Sequence, residues 1–303
     1  MKANIWKKGQ RYKILIHALF IIGSLFYILP LILVVSVSFS SEAAVTTGAG
    51  YSLIPQEFTL DAYKMAFGNG TKVVRAYMVT IAESFLGAFS VLLVAGMIAY
   101  ALSRSNFAYK GPITFIVFFT MLFSGGAIPT YIVYSSYYHL DNSFWIYILP
   151  GIAGGAWNTL MLRTFFKGIP ESLFESARMD GASEFRSFMQ IAVPLSKPVF
   201  ATIGFMTLVG KWNDWHTSLV YIRNQDLYTL QYLLQKILND AEFLKNLAEN
   251  DMIGSGLAEE ALKQPTETLK YALCVIAAGP MLAIFPFFQK YFVKGTTIGA
   301  VKG

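Results

Sequence analysis

Three ionisable residues stand inside long apolar stretches of this 303-residue chain: Glu83, Lys211 and Asp214. A charge near the centre of a bilayer costs about 2.5–3.5 kcal/mol on insertion scales, so each of them needs a partner or a wet cavity. Lys211 and Asp214 are three apart and would share one face of a helix. Trp212, Asn213 and Trp215 flank them. Two readings follow from these residue types. In one, the polar groups line a solute pathway and the indole faces meet sugar C–H surfaces. In the other, they form an ion pair that fixes helix packing, while the tryptophans sit in an interfacial aromatic belt. Glu83, Lys211, Trp212, Asn213, Asp214 and Trp215 are accordingly the candidate pathway residues.

Other chemistry finds little support. His17, His139 and His216 are far apart and have no metal-ligand spacing. The single cysteine, Cys274, lies in an apolar run, which rules out an internal disulfide or a Cys-x-x-Cys site and suits a small buried hydrophobe. The nearest imitation of a phosphate-binding loop, Gly204 to Gly210-Lys211-Trp212, has five intervening residues and places a tryptophan where a Mg²⁺-binding hydroxyl is required. No metal or cofactor is expected on this chain. The net charge of +6 is not gathered on one face, which argues against a nucleic-acid partner.

A second group of polar residues lies between apolar stretches. Glu171, Glu175 and Arg178 follow one another at helical spacing, with Leu173, Phe174 and Ala177 on the opposite side. Pro170 suits the start of this helix, and Asp180-Gly181 should end it, since glycine accepts the left-handed conformation at a C-terminal cap. Phe185, Phe188, Met189 and Ala192 then form one stripe of a second short helix that Pro194 should close. Small residues at Ser176 and Ala177 would let such a helix enter a groove on another protein, with Glu175 and Arg178 adding charge-assisted hydrogen bonds.

The elements that must position these groups are membrane helices. Hydrophobic residues make up 55% of the chain and charged residues 14%, against about 25% charged in soluble domains. Crossing roughly 30 Å of hydrocarbon takes about 20 apolar residues. Six stretches qualify: Ile14–Phe39, Tyr77–Leu102, Ile113–Tyr138, Phe144–Leu162, Val199–Val220 and Leu269–Phe288. The first is too long for a cleavable signal sequence and is expected to be retained. Pro30, Pro129, Pro280 and Pro286 fall within spans and should kink them. Wet segments on the side of the termini carry 15 Lys and Arg, and those on the other side 8, which puts both termini inside. The expected organisation is an inner segment 1–13, a six-helix domain 14–288 and an inner tail 289–303. Within the domain, 163–198 is an inner loop and 221–268 an acidic outer insertion that holds a helix near Leu227–Leu247 and breaks near Asn250–Gly256.

Glu175-Ser176-Ala177, three residues, Gly181, nine residues, then Ile191-Ala192-Val193-Pro194 resembles the EAA loop of ABC importer permeases, with serine and valine as conservative departures. Arg178-Met179-Asp180-Gly181-Ala182, Trp212-Asn213-Asp214 and the tail Gly299–Gly303 extend the likeness to the maltose-transporter type of carbohydrate permease, and within it to the branch that handles oligosaccharides and uronate-containing glycans. The resemblance implies an all-α integral membrane fold with six transmembrane helices and a cytoplasmic coupling-helix loop, in a bacterial cytoplasmic membrane. It implies that Glu175, Ser176, Ala177, Arg178, Asp180, Gly181, Ile191 and Pro194 couple the permease to an ATPase, and that Thr296–Gly303 reaches the same partner. ATP and Mg²⁺ would be bound by two separate ATPase subunits. A second permease and an extracellular solute-binding protein would complete the assembly in lipid. A permease for a non-sugar solute, a polytopic glycan- or lipid-modifying enzyme and a self-contained secondary transporter are the competing classes. The enzyme lacks its carboxylate or histidine cluster, and the secondary transporter lacks the repeated hydropathy of its kind.

Overall fold

A computed structural model describes residues 2–300 apart from 49, 69, 154, 251–253, 255 and 257–265, and side chains from Tyr12 to Gln289. The described residues form helices and connections, with no strand among them. In chain order the α-helices are α1 (Lys2–Ser38), α2 (Glu42–Thr46), α3 (Asp61–Ala66), α4 (Gly70–Ser103), α5 (Lys110–Leu122), α6 (Ala127–Ile132), α7 (Ala156–Lys167), α8 (Glu171–Met179), α9 (Glu184–Ser187), α10 (Val193–Leu195), α11 (Lys197–Trp212), α12 (His216–Tyr221), α13 (Leu230–Glu249) and α14 (Glu267–Ala300).

Among the described residues three segments are long and apolar enough to cross a membrane: Tyr12–Ser38, Gly70–Ser103 and Glu267–Gln289. Two bent pairs raise the number to five, Lys110–Leu122 with Ala127–Tyr137 and Glu184–Leu195 with Lys197–Trp212. The expected span Ile113–Tyr138 is therefore broken, by 114°. The break falls at Ser124-Gly125-Gly126, where Gly126 has a φ of 85°, a value glycine adopts without penalty. Pro129 lies in the first turn of α6, where a missing N–H costs little, so it is not the cause of the bend.

The expected span Phe144–Leu162 is not one helix. Two 3₁₀ turns, Phe144–Tyr147 and Leu149–Gly151, precede α7. Pro150 and Gly151 interrupt the helical ladder, and Gly155 at φ 69° resets the direction of the chain. The 12 residues of α7 rise about 18 Å, short of the hydrocarbon thickness. The expected span Val199–Val220 likewise ends at Trp212, and α12 follows after a break at residues 213–215. By contrast, α1 and α14 run through Pro30 and through Pro280 and Pro286.

The chain divides into two compact units. The first comprises Met1–Gly70 and Leu234–Gly279. Within it Phe39 stacks on Phe58 and Tyr63 at 5.5 and 4.9 Å between centroids, and Ser38 Oγ shares a hydrogen bond with the Tyr63 hydroxyl. The start of α14 is held by Glu42, whose carboxylate accepts from the backbone N–H of Glu267 (3.0 Å) and of Thr268 (2.9 Å) and from the Thr268 hydroxyl. A carboxylate there satisfies orphan donors and faces the positive end of the helix dipole. Burial alone would raise the Glu42 pKa, but the bonds from Thr268, Glu267 and Thr266 outweigh it and hold the group below its ordinary value.

The second unit comprises Thr71–Leu233 and Pro280–Gly303. Its centre is a cluster of Ala95, Ala99, Tyr100, Leu162, Phe166 and Phe174 with Phe188, Ala192, Val199 and Ile203. Small residues allow the helices to approach closely, as is usual inside membranes. A Cβ on Gly96 would meet the Phe200 and Phe188 rings at 3.1–3.2 Å, and one on Gly204 would stand 2.9 Å from Leu92.

Candidate functional site

The loop that resembles the EAA element folds as two helical pieces joined by a tight reversal. The first, α8, begins directly after Pro170 and ends at Met179, and Gly181 has a φ of 78°. Ser183 caps α9 by accepting from the Arg186 N–H. The helix then passes through a π-turn at Phe188–Ala192 and continues across Val193–Leu195, so Pro194 sits in the first turn of α10 and does not close the helix. The expected stripe is also divided: Phe188 and Ala192 are buried, while Phe185 and Met189 are exposed. An additional residue in the π-turn rotates the register, which separates side chains that ideal helical spacing would align.

The polar face of α8 is divided in the same way. Glu175, Ser176, Asp180 and Gly181 are exposed, and Ala177 and Ile191 are half-buried. Met179 protrudes with 88% of its surface free. Arg178, in contrast, turns back onto its own unit. Its Nε donates to Glu184 at 3.0 Å and its Nη2 to Glu171 at 3.3 Å, and the bond to Glu184 raises its pKa further above the ordinary arginine value. The surface that α8 offers outward is thus carried by Glu175, Ser176 and Met179, and Arg178 fixes the orientation of the helix from beneath.

Beneath α8 lies a residue that the sequence did not single out. Arg104 directly follows α4 and is 4% exposed. Its Nη1 donates to Glu171 at 3.1 Å and its Nη2 to the Phe166 carbonyl at 3.3 Å. The guanidinium lies 3.8 Å from the centre of the Phe174 ring and 5.0 Å from that of Tyr100. The Tyr100 hydroxyl donates to Glu184 at 2.8 Å. Arg104, Glu171, Arg178, Glu184 and Tyr100 thereby close a ring of polar contacts around the buried Phe174. Arg163 donates in turn to the Leu102 carbonyl at 3.1 Å, so α4 and α7 each cap the last turn of the other. In the sequence Arg104 is one more positive residue at the end of an apolar stretch. The available signal was the glutamate, Glu171, that opens the facing helix.

Of the candidate pathway residues, Glu83 and Lys211 are brought together. Glu83 is fully buried on α4, and Lys211 Nζ lies 3.7 Å from its carboxylate. Lys211 also donates to the Tyr147 carbonyl. Its stem lies over Gly87, where a Cβ would meet Lys211 Cε at 3.3 Å. Lys211 and Asp214 do not share a helix, because α11 ends at Trp212. Asp214 instead accepts from the Thr217 N–H (3.0 Å) and hydroxyl (2.6 Å) and caps the start of α12. Trp212 is buried beside Tyr77, whereas Asn213 and Trp215 are exposed. A hydrogen-bonded string links the same region. The Tyr147 hydroxyl meets Ser218 at 2.7 Å, Ser218 meets Thr229 at 2.9 Å, and Thr229 donates to the Asp214 carbonyl at 2.8 Å. Among the described residues no group of histidine, cysteine, aspartate and glutamate could hold a metal ion. Of the expected tail contact Thr296–Gly303, residues 301–303 lie outside the described residues, as do the side chains of 296–300; most of the expected break at Asn250–Gly256 lies outside them too.

The described residues are all helix and connection, with segments apolar enough to cross a membrane, and residues 92–298 match the family described as "Binding-protein-dependent transport system inner membrane component". The chain belongs to that family. It is a membrane permease subunit and not itself an enzyme; ATP hydrolysis in such systems lies in separate subunits. It is similar to the polygalacturonan/rhamnogalacturonan transport system permease protein YtcP of Bacillus subtilis (strain 168), with 36% identity over 98% of this chain and 100% of that protein. Protein LplC of the same organism is 38% identical over 91% of this chain and 90% of its own length. The fold resembles a chain in the crystal structure of a bacterial ABC transporter involved in the import of the acidic polysaccharide alginate. The TM-score is 0.74 and the identity 28%, over 93% of this chain and 97% of that one.

Proposed function

We propose that this chain forms one half of the membrane pathway of an ATP-driven importer for an oligosaccharide, in particular one that carries uronate groups. The chemistry in the names of two relatives supports that substrate class, since polygalacturonan and alginate are both acidic glycans. In this reading the chain crosses the bacterial cytoplasmic membrane six times, with both termini inside. The short α7, lengthened by the 3₁₀ turns before it, serves as the fourth crossing. A second permease of the same family pairs with it. Two ATPase subunits bind ATP and Mg²⁺ beneath the pair, and a solute-binding protein delivers the sugar to the outer segment 221–268. Closure of the ATPases swings the permeases between inward- and outward-facing states as rigid bodies.

The observation that carries the reading is the outward ridge of α8. Glu175, Ser176 and Met179 are exposed on a short helix whose other side is pinned by Arg178 and Phe174. A protruding helix of this kind, small at its centre and charged at one edge, fits a groove on a partner. Co-expression with the ATPase subunit and affinity capture test it directly. Capture is expected with the native chain and should fall about tenfold or more with Glu175→Lys, a reversal that removes a charge-assisted contact and adds repulsion. Capture that is equal for both chains would remove α8 as the ATPase contact. For the substrate, titration of the cognate binding protein with galacturonate oligomers should give saturable binding, and neutral gluco-oligomers should not.

A further inference from the structure

We infer that Arg104 is a positioning residue of the transport cycle, locking α8 to α4 so that α4 carries the ATPase stroke as a rigid rod to the Glu83–Lys211 pair. The inference rests on the reading of α8 as the ATPase contact. Besides the short α7, whose 12 residues precede α8 in the chain, two routes lead from α8 into the helices above. One is the chain itself, through α9, α10 and α11. It contains the π-turn at Phe188–Ala192 and bends by 85° between Glu184–Leu195 and Lys197–Trp212. A bent route with a π-turn gives way under load. The other is α4, a continuous helix of 34 residues with no proline.

Arg104 is built to join α8 to that rod. It is buried, it bonds both Glu171 and the Phe166 carbonyl, and it stacks between Phe174 and Tyr100. A planar guanidinium uses its fork and its faces together, which an ammonium cannot do. Tyr100, one turn earlier on α4, holds Glu184 on the far side of the reversal. Both ends of the coupling hairpin are therefore fastened to the last turn of α4. Glu83 lies 21 residues before Arg104, about 30 Å along the helix axis, where its carboxylate faces Lys211 on the last turn of α11. A displacement received at α8 thus reaches the α11–α12 break through one stiff helix.

Paired spin labels on the assembled transporter in nanodiscs test this, in a Cys274→Ser background. One label goes on α4 at Met97→Cys and one on the coupling helix at Met179→Cys, both exposed positions. With Arg104 present, the interlabel distance should agree to within about 2 Å between the nucleotide-free and the ATP–vanadate-trapped states, as for two parts of one rigid body. With Arg104→Met, which keeps the apolar stem, the nucleotide-free distance should stay native. Trapping should then shift it by about 3 Å or more, or broaden it, as the hairpin slips against α4. Arg104→Lys retains the charge without the fork and should give an intermediate shift. ATP hydrolysis should remain within about threefold of native in both variants, because the site of hydrolysis lies on other chains. An unchanged distance in trapped Arg104→Met would overturn the inference, and so would an equal shift in both states, which marks a purely structural role. Should Arg104→Met fail to fold, the same two outcomes in Arg104→Lys decide. If the native complex retains no ATPase, the reading of α8 fails, and that failure appears before any substitution is made.

Discussion

Glu83 and Lys211 illustrate how a buried charge is tolerated in an apolar setting. Glu83 has no exposed surface, and its partner reaches it only because Gly87 lets the lysine stem lie flat on α4. Breaking one member of a buried pair leaves the other uncompensated, a loss of roughly 3–5 kcal/mol, while replacing both by apolar groups is far milder. Glu83→Leu and Lys211→Met should each lower the melting temperature in detergent sharply. The double variant Glu83→Leu with Lys211→Met should lose much less than the two single losses combined. Additive losses would mean that the two charges act independently. Glu83 and Trp212 are enclosed, as a packing brace would be, whereas Asn213 and Trp215 are exposed.

At the scale of elements, what the sequence disclosed depended on whether a signal was local. The α8 helix and its stop at Gly181 were legible because a proline, a three- and four-residue spacing and a glycine cap all lie within a dozen positions. The brace beneath it was not legible, since Arg104 and Glu171 are 67 residues apart and nothing local distinguishes that arginine from any other positive residue at a membrane edge. Hydropathy located the continuous helices α1, α4 and α14 but took Phe144–Leu162 for one unbroken helix. An average over apolar residues does not register where Pro150, Gly151 and Gly155 interrupt the ladder. The cap of α14 by Glu42 was hidden for the same reason as Arg104, with partners more than 220 positions away. It carries a prediction in pH. The folded pKa of Glu42 is depressed, so its stabilisation is complete above the ordinary carboxylate value near 4.5 and is lost as pH falls through the lowered folded value. Glu42→Gln keeps an acceptor but removes the charge at the helix dipole, worth about 1 kcal/mol. Denaturation in detergent should show that deficit at pH 7, and it should shrink as the pH falls through the lowered folded value.

Across the whole molecule the distribution of apolar surface requires a membrane, and the distribution of charge supports the orientation proposed above. None of the most apolar part of Tyr12–Ser38 is buried within the chain, and Leu19, Phe26 and Tyr27 are more than two-thirds exposed. Apolar surface on that scale is stable only against lipid or another chain. Positive residues accumulate in the segments assigned to the inside, 163–198 among them, whereas 221–268 carries an excess of acidic ones. The proposed topology puts Met179 on the cytoplasmic side and Phe243 of α13 on the outer side. Both side chains are well exposed, at 88% and 62%, so reactivity there reports sidedness and not burial. With Cys274→Ser as background, a membrane-impermeant maleimide should label Phe243→Cys in intact cells and leave Met179→Cys unlabelled until the membrane is opened. Labelling of Met179→Cys from outside would invert the topology, and no internal ATPase could then reach α8.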